Sequence, residues 1–348
     1  MHRFDYSFLN NGLLPASLVN LTASIASLKT MAGVRKESNI KVFTELETIA
    51  KVQSVKSSNA IEGIVTSDSR IAEIVNGNSA PLNHNEMEIV GYRDALNAIH
   101  RGYAYLDFRR VDILRLHEML MSMTGDEYGG KYKVSDNYIL EEDSKGNRRI
   151  RFLPTPAAET PAAMEQLELA YLQARNDANI NQLLLIPCVI LDFLCIHPFR
   201  DGNGRMSRLL SLLLLYKNGY DAGKYVSFEE QINQYKAYYY DALAQSSVGW
   251  AGNENSYFPF IENFLSMLYM CYKELDKRFA VVQGKRITKK ARVEATVLNS
   301  LTPLSKAEIC SILPDVSPST VEVVLSAMVK TGSVRKIGSS RAARYIRA

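Results

Sequence analysis

At 348 residues, 47% of them hydrophobic and 22% charged, the chain can form two or three domains with sizeable cores, and its composition is neither disordered nor fibrous. No run of 18 apolar residues occurs, so a helical membrane span is not expected. The N-terminus, interrupted by Pro15 and polar residues, reads as neither a signal nor a transit peptide. The net charge of +4 is uneven: residues 285–348 hold twelve Lys/Arg against four Asp/Glu, a net of +8, which leaves −4 for residues 1–284.

Residues 1–38 read as an N-terminal arm with one helix, because Leu18, Leu21, Ile25 and Leu28 recur at helical spacing. A second helix is predicted over 40–61 from the stripe Val42, Phe43, Leu46, Ile49, Ala50, Val52 and Val55, with Gly63 as its C-terminal cap. Glu62 is out of place in that last turn. A carboxylate there faces the negative end of the helix dipole, at a cost of roughly 0.3–1 kcal/mol that a partner cation would offset. Ser58 lies four residues earlier, on the same face. Residues 64–84 read as a connecting loop with one helical turn near 71–75, followed by helices over 86–99 and 111–123. His100 and His117, one on each, are read as structural or surface histidines.

From Thr124 the pattern shortens. Glycines at 125, 129, 130 and 146 punctuate Tyr132, Val134, Tyr138–Leu140 and then Ile150, Phe152 and Leu153, which predicts a β-hairpin with a polar tip at 141–148. Helices follow over 155–174 and 181–196, then over 205–217 with an Asn218–Gly219 cap, 227–244 and 258–279. Tyr235, Tyr238, Tyr239 and Tyr240 form the densest aromatic group. After a basic linker at 285–290 the order is helix (292–301), helix (305–312), turn, helix (317–330) and strands around Val334 and Tyr345, with Ser305 and Ser317 as N-caps. That order resembles a winged helix-turn-helix with its wing tip at 338–341. The four cysteines, Cys188, Cys195, Cys271 and Cys310, sit in apolar helical contexts without C-x-x-C spacing, as reduced core residues of a cytoplasmic protein do.

The stretch from His197 to Arg208 (HPFRDGNGRMSR) carries the chemistry. It lies between two apolar runs, and Pro198, Gly202 and Gly204 break the helical pattern between them. The following helix would aim its free N–H groups and positive dipole end at the loop, which makes an anion site. The glycines let a phosphate approach the backbone. Arg205 and Arg208, three apart, can clamp one polyphosphate. Asp201 suits Mg2+ on that phosphate, and His197 can take a proton near neutral pH. A P-loop would need Gly-Lys-Ser/Thr, and no lysine stands here. An EF-hand counted from Asp201 would place Arg205 and Leu212 at ligand positions, and a zinc pair of His197 and Asp201 lacks further ligands.

At these residues the sequence resembles the Fic family, whose motif H-x-F-x-[DE]-G-N-G-R-x-x-R is matched at all eight fixed positions. The resemblance implies transfer of AMP from ATP to a protein hydroxyl. It implies His197 as general base, Asp201 as Mg2+ ligand, and Gly202, Asn203 and Gly204 on phosphates. Arg205 and Arg208 would take the outer phosphates, and Phe199 would anchor the loop. Ser58-x-x-x-Glu62-Gly63 matches the family's inhibitory motif, which implies that Glu62 pairs with Arg208 and blocks the productive pose of the γ-phosphate. The hairpin becomes the flap, placed near 149–154. The Gly130–Lys133 stretch has Lys where most relatives have Arg, so it offers a point charge in place of a planar guanidinium. The family often carries a Tyr pair beside the adenine, which singles out Tyr239 and Tyr240.

The expected fold is mainly α: an N-terminal helical region with the inhibitory helix (1–95), a helical Fic core with a hairpin flap (96–280) and a winged-helix-like domain (285–348). The expected function is an autoinhibited protein adenylyltransferase with Mg2+ as cofactor and ATP as substrate. Its targets would be Ser, Thr or Tyr hydroxyls of another protein or of the chain itself, with no membrane contact and a homodimer among the assemblies open to it. The alternatives are a nucleotide-sensing regulator that binds DNA through the C-terminal domain, or a Fic enzyme that uses another nucleotide donor or removes AMP. The supposed recognition helix carries Glu322 and only Lys330, so DNA contact would be mostly to phosphates.

Overall fold

The computed structural model describes residues 2–142, 148–283, 288–298, 300, 303–338 and 343–348. Fifteen α-helices and two small antiparallel sheets form among them. The N-terminal helices are α1 (Phe8–Asn11), α2 (Ala16–Ser38), α3 (Ile40–Ile61) and α4 (Asp68–Val75). α4 has two turns where the sequence suggested one, because Ser67 caps it by accepting from the Arg70 N–H and Ile71 and Ile74 bury one face. α5 (His84–Gly102) and α6 (Arg110–Met121) pack on each other, and α2 lies along α12 (Phe258–Gln283).

The hairpin is shorter than the sequence pattern suggested. β1 (Ile139–Glu142) pairs with β2 (Arg148–Phe152), with Leu140 opposite Ile150 and Glu141 opposite Arg149. Lys131–Tyr138 forms no strand, since it spends its polar groups on the loop after Ile196. The tip, 143–147, lies outside the described residues. α7 (Thr160–Arg175) follows, with Pro161 in its first turn.

α8 (Gln182–Ile196) and α9 (Asn203–Lys217) are the centre of the molecule. Every residue of α8 after Gln182 is buried, as befits a helix apolar on all sides. It packs on α7, α9 and α12. The helix expected over 227–244 is two: α10 (Phe228–Gln234) against α3, and α11 (Lys236–Ser247) against α12, with the break at Tyr235, φ −113°. All four cysteines are unbridged. Among the described residues no helix is long and apolar enough to cross a membrane.

The C-terminal residues form α13 (Lys289–Leu298), β3 (Leu304–Ser305), α14 (Lys306–Ile312), α15 (Pro318–Lys330), β4 (Val334–Ile337) and β5 (Arg344–Arg347), with strand order β3-β5-β4. Ser305 caps α14 in a capping box with Glu308, and Ser317 caps α15. The short β3 was not foreseen, and the expected turn at 338–341 lies largely outside the described residues. α14 packs on α3.

Candidate functional site

α8 ends in His197, which takes left-handed backbone angles (φ 52°, ψ 60°) while its N–H bonds to Phe193 O at 3.0 Å. A non-glycine residue holds that conformation only where its surroundings fix it. They do so here by taking up the loop's carbonyls. The buried Lys133 donates through Nζ to Ile196 O (3.1 Å) and through its backbone N–H to Pro198 O (2.9 Å). Asn137 donates to Phe199 O (3.1 Å) and accepts from Lys133 Nζ (2.8 Å). Asn203 closes the turn, its Oδ1 accepting from Phe199 N and its Nδ2 donating to Phe199 O.

The Phe199 ring stacks on His117, with centroids 3.7 Å apart and planes 5° apart. His117 Nδ1 accepts from Gly130 N (3.0 Å), so its proton is on Nε2, facing Asp201 O at 3.1 Å. Burial pushes His117 down to about 4, so the neutral form is the one that persists. The sequence pattern points to a structural or surface histidine, and the role is structural. It is a brace between the hairpin approach and the backbone of Asp201.

His197 Nδ1 donates to Leu194 O (3.3 Å), and Nε2 has no hydrogen-bond partner among the described residues. Burial, with the Lys133 cation nearby, lowers its pKa to about 4, against the opposing bond to Leu194. His197 is therefore neutral at physiological pH with one lone pair available, the form a general base requires. It lines a cavity of about 300 Å3 together with Glu62, Arg151, Arg200, Asp201, Gly204 and Tyr240.

α9 starts at the cavity. Gly202 has φ 78°, and a Cβ there would meet Leu120 and His117. At Gly204 a Cβ would stand 2.3 Å from Glu62 Oε1, so the Glu62 carboxylate lies directly over the first turn of α9, where that helix attracts an anion. Glu62 Oε1 accepts from Arg208 Nη2 (2.8 Å), while Ser58 accepts from the same guanidinium through Oγ (2.8 Å) and its carbonyl (3.0 Å). Burial works to raise the Glu62 carboxyl, but the charge and hydrogen bond of Arg208 outweigh it and hold the pKa below the ordinary value. Lys236 Nζ donates to Ile61 O (2.7 Å), so two cations meet the end of α3 where its terminal carboxylate needed one.

The remaining residues singled out from sequence divide. Tyr240 lines the cavity; Tyr239 is buried against Phe260. Asp201 has a side chain 57% exposed, with Oδ1 accepting from Gly202 N (2.6 Å). Among the described residues no group of three or more His, Cys, Asp or Glu could cage a metal. A single accessible carboxylate beside an anion-binding turn fits Mg2+, which keeps its waters and arrives with phosphates. Arg205 is buried and meets an acid the sequence reading did not single out: Nη1 stands 2.6 Å from Glu88 Oε2. Glu88 could not have been found from spacing, because it comes from α5.

A family model, Fic/DOC family, matches residues 105–215, a span that contains His117, the hairpin and all of the His197–Arg208 loop. Residues 105–215 belong to the Fic/DOC family. Against curated proteins, the chain is 34% identical over 87 residues to a Fido domain-containing protein of Dictyostelium discoideum, covering 25% of this chain and 59% of that one. It is 28% identical over 138 residues to Protein adenylyltransferase Fic of Drosophila melanogaster, covering 39% of this chain and 25% of that one. The chain thus spans little more than half of the first relative and a quarter of the second. Among solved structures, a Fic family protein from Desulfovibrio desulfuricans aligns over 97% of both chains with a TM-score of 0.63 at 21% identity. A Fic domain-containing signalling protein from Bacteroides thetaiotaomicron covers 74% of this chain and 94% of its own, with a TM-score of 0.56 at 20% identity. These similarities place the helical core and its hairpin in the Fic fold.

Proposed function

We propose that the protein is a protein adenylyltransferase held inactive by Glu62. The observation that carries this reading is the pair of groups facing one cavity: a neutral His197 with a free Nε2, and a carboxylate seated on the anion-binding turn and ion-paired to Arg208. A target hydroxyl enters beside His197. Nε2 takes its proton as the oxygen attacks the α-phosphorus of ATP. The new O–P bond forms, the bond from the α-phosphorus to the bridging oxygen breaks, and pyrophosphate leaves. The backbone N–H groups at Gly204 and the arginine of the second motif position, Arg208, hold the outer phosphates and stabilise the charge that moves onto pyrophosphate. Asp201 would hold Mg2+, which supplies charge neutralisation at the phosphates. Tyr240 forms a wall of the cavity in which the base would lie.

Glu62 and the outer phosphate cannot occupy the turn at Gly204 together, since both are anions seeking the same N–H groups and the same guanidinium. This is the basis for inhibition in the resting protein. The test is label transfer from ATP labelled at the α-phosphate, with Mg2+ and cell extract, comparing wild type, Glu62→Gly and Glu62→Gly/His197→Ala. The expected result is weak, strong and absent labelling respectively. Absence in all three, with ATP binding measured, would overturn the reading in favour of another donor.

A second reading attaches to the C-terminal unit. Its four acids are each paired with a cation: Glu294 with Lys290, Glu308 with Arg344, Asp315 with Arg292 and Glu322 with Lys306. Arg335, Lys336 and Arg347 on β4 and β5 are exposed and form no salt bridge among the described residues, and only Lys336 lies close enough to an acid, Glu322, to act on its charge. We read this sheet as a binder of nucleic-acid phosphates. Arg335→Ala/Lys336→Ala is expected to lower the slope of log affinity for duplex DNA against log salt by about two. An unchanged slope would remove the reading.

A further inference from the structure

Arg205 stands between two carboxylates. Its side chain is 2% exposed, in the first turn of α9. Nη1 lies 2.6 Å from Glu88 Oε2, and Nη2 lies 3.4 Å from Asp201 Oδ2. Glu88 is itself buried on α5, with the largely exposed His84 one turn earlier at 3.4 Å. The Arg205–Glu88 contact is close but not aligned as a hydrogen bond, Arg205 Nη2 donates one long bond to Asp201 Oδ2, and Arg205 Nε finds no acceptor among the described residues. The guanidinium is therefore held by charge and burial rather than by a saturated set of hydrogen bonds. No step of the proposed transfer uses Glu88.

The two distances show which acid prevails. At 2.6 Å Glu88 is in full contact, whereas 3.4 Å is at the outer edge of an interaction. Asp201 Oδ1 accepts from Gly202 N–H at 2.6 Å, whereas Oδ2 accepts only a long bond from Arg205 Nη2 at 3.4 Å, so Oδ2 is the more weakly held oxygen and the better placed to bind a cation. We propose that Glu88 is a positioning residue that holds Arg205 back from close contact with Asp201 and so preserves the divalent-cation site. The proposal rests on the reading of Asp201 as the Mg2+ ligand. With Glu88 present, the Arg205 charge is taken up mainly by Glu88, and Asp201 faces the cavity with only a long contact to Arg205. Without Glu88, Arg205 needs to move only about 0.6 Å to reach ordinary charge-assisted contact with Asp201. Its charge then cancels that of the metal ligand and its N–H groups occupy the oxygen the metal would use.

The same arrangement separates the two motif arginines. Arg208 is covered on its cavity side by Glu62, a carboxylate one-third exposed at the end of a helix. Arg205 is held from behind by Glu88, a carboxylate buried in the middle of the fold. The first contact must open for a phosphate to bind; the second has to persist.

The test is calorimetric titration of ADP into the full chain, with and without Mg2+. ADP lacks the γ-phosphate that Glu62 is proposed to obstruct. The quantity read is the ratio of affinities with and without metal. In Glu88→Gln that ratio is expected to fall about tenfold, as loss of a residue that orients a metal ligand does, while metal-free ADP affinity changes less than about twofold. In Glu88→Gln/Arg205→Met, which removes the intruding cation and leaves no unpaired buried charge, the ratio is expected to return toward that of wild type, even where the loss of a guanidinium lowers ADP affinity with and without metal alike. A purely structural role for Glu88 would weaken both titrations and would not be rescued by the second substitution. An unchanged ratio in Glu88→Gln, or no recovery in the double variant, overturns the proposal. A wild type that binds ADP equally with and without Mg2+ overturns it through Asp201. A wild type that binds no ADP removes the nucleotide reading itself.

Discussion

Glu62→Gly should weaken the empty protein and strengthen its hold on ATP, by related amounts. Arg208 is 2% exposed and has three acceptors: Ser58 Oγ, Ser58 O and Glu62 Oε1. Only the last is charged. Removing one partner of a fully buried pair costs about 3–5 kcal/mol, because the other charge is left stranded. Glu62 is one-third exposed, so water can reach part of the gap and the cost should be nearer 2 kcal/mol. In a chain of this size that lowers the melting temperature by about 3 °C. An outer phosphate of ATP can take the vacated contact, and the same 2 kcal/mol then returns as about thirtyfold tighter binding. AMP has no outer phosphate and should bind both proteins alike. The assay is thermal unfolding of wild type and Glu62→Gly over a concentration series of ATP and of AMP, analysed by linkage. The expected pattern is a less stable empty variant that overtakes wild type as ATP rises, with no such crossing for AMP. Equal gains from ATP and AMP, or an ATP affinity unchanged by the substitution, would refute the mutual exclusion of Glu62 and phosphate.

His197, held near pKa 4, should remain a base well into mildly acidic conditions. Label transfer by Glu62→Gly is expected to show no loss centred near pH 6.5, and such a midpoint would mean that His197 is solvated rather than buried in the working enzyme. His197→Ala should reduce the rate about 10²–10⁴-fold with ATP affinity retained, measured by labelling and by titration. Lys133→Met removes the amine that holds Ile196 O and Asn137, so the left-handed His197 loses a brace. A fall of about tenfold or more in kcat with little change in KM for ATP is expected, and a loss confined to KM would contradict it. Asp192 provides a stability test outside the site. Burial raises its carboxyl to about 7 against the opposing hydrogen bonds from Trp250, Tyr6 and Tyr257. The folded state therefore binds this proton more tightly than the unfolded chain does. Ionisation costs stability from about pH 4 upward, and the cost is complete near pH 7. Relative to Asp192→Asn, wild type should lose up to about 1.4 kcal/mol per pH unit between pH 5 and 7. A difference between the two that is independent of pH would show that Asp192 is ionised throughout.

The readable parts of this molecule are those whose determinants are adjacent in the chain. α8 is apolar on every side and is followed by a proline and two glycines, so the loop and the start of the next helix follow from periodicity and backbone freedom. Ser305 and Ser317 cap their helices through residues three positions on, and both caps form. Elements also failed locally. The run from Lys131 to Tyr138 has strand-like residues but serves as a strap, because the carbonyls after α8 need donors and this segment supplies them. The helix across Tyr235 breaks where its two halves turn to different neighbours, α3 and α12.

What the sequence could not disclose is the second partner of each site residue. His197, Asp201 and Arg205 stand in one short motif. The groups that fix their states, Lys133, His117 and Glu88, come from three different segments, and no periodicity connects them. Glu62 was the exception because its position was locally unfavourable: a carboxylate at the negative end of a helix asks for a cation, and Arg208 lies 146 residues away to supply it. Glu88 gave no such signal. It stands in the second turn of α5, one turn from its N-terminus, where glutamate is a good helix former and needs no explanation. A functional acid is thus legible where it violates local preference and hidden where it obeys it. Of the two carboxylates on the motif arginines, the obedient one is buried and permanently paired, whereas the one that violates the rule is partly exposed and ends a helix, as a group that must leave its partner should be.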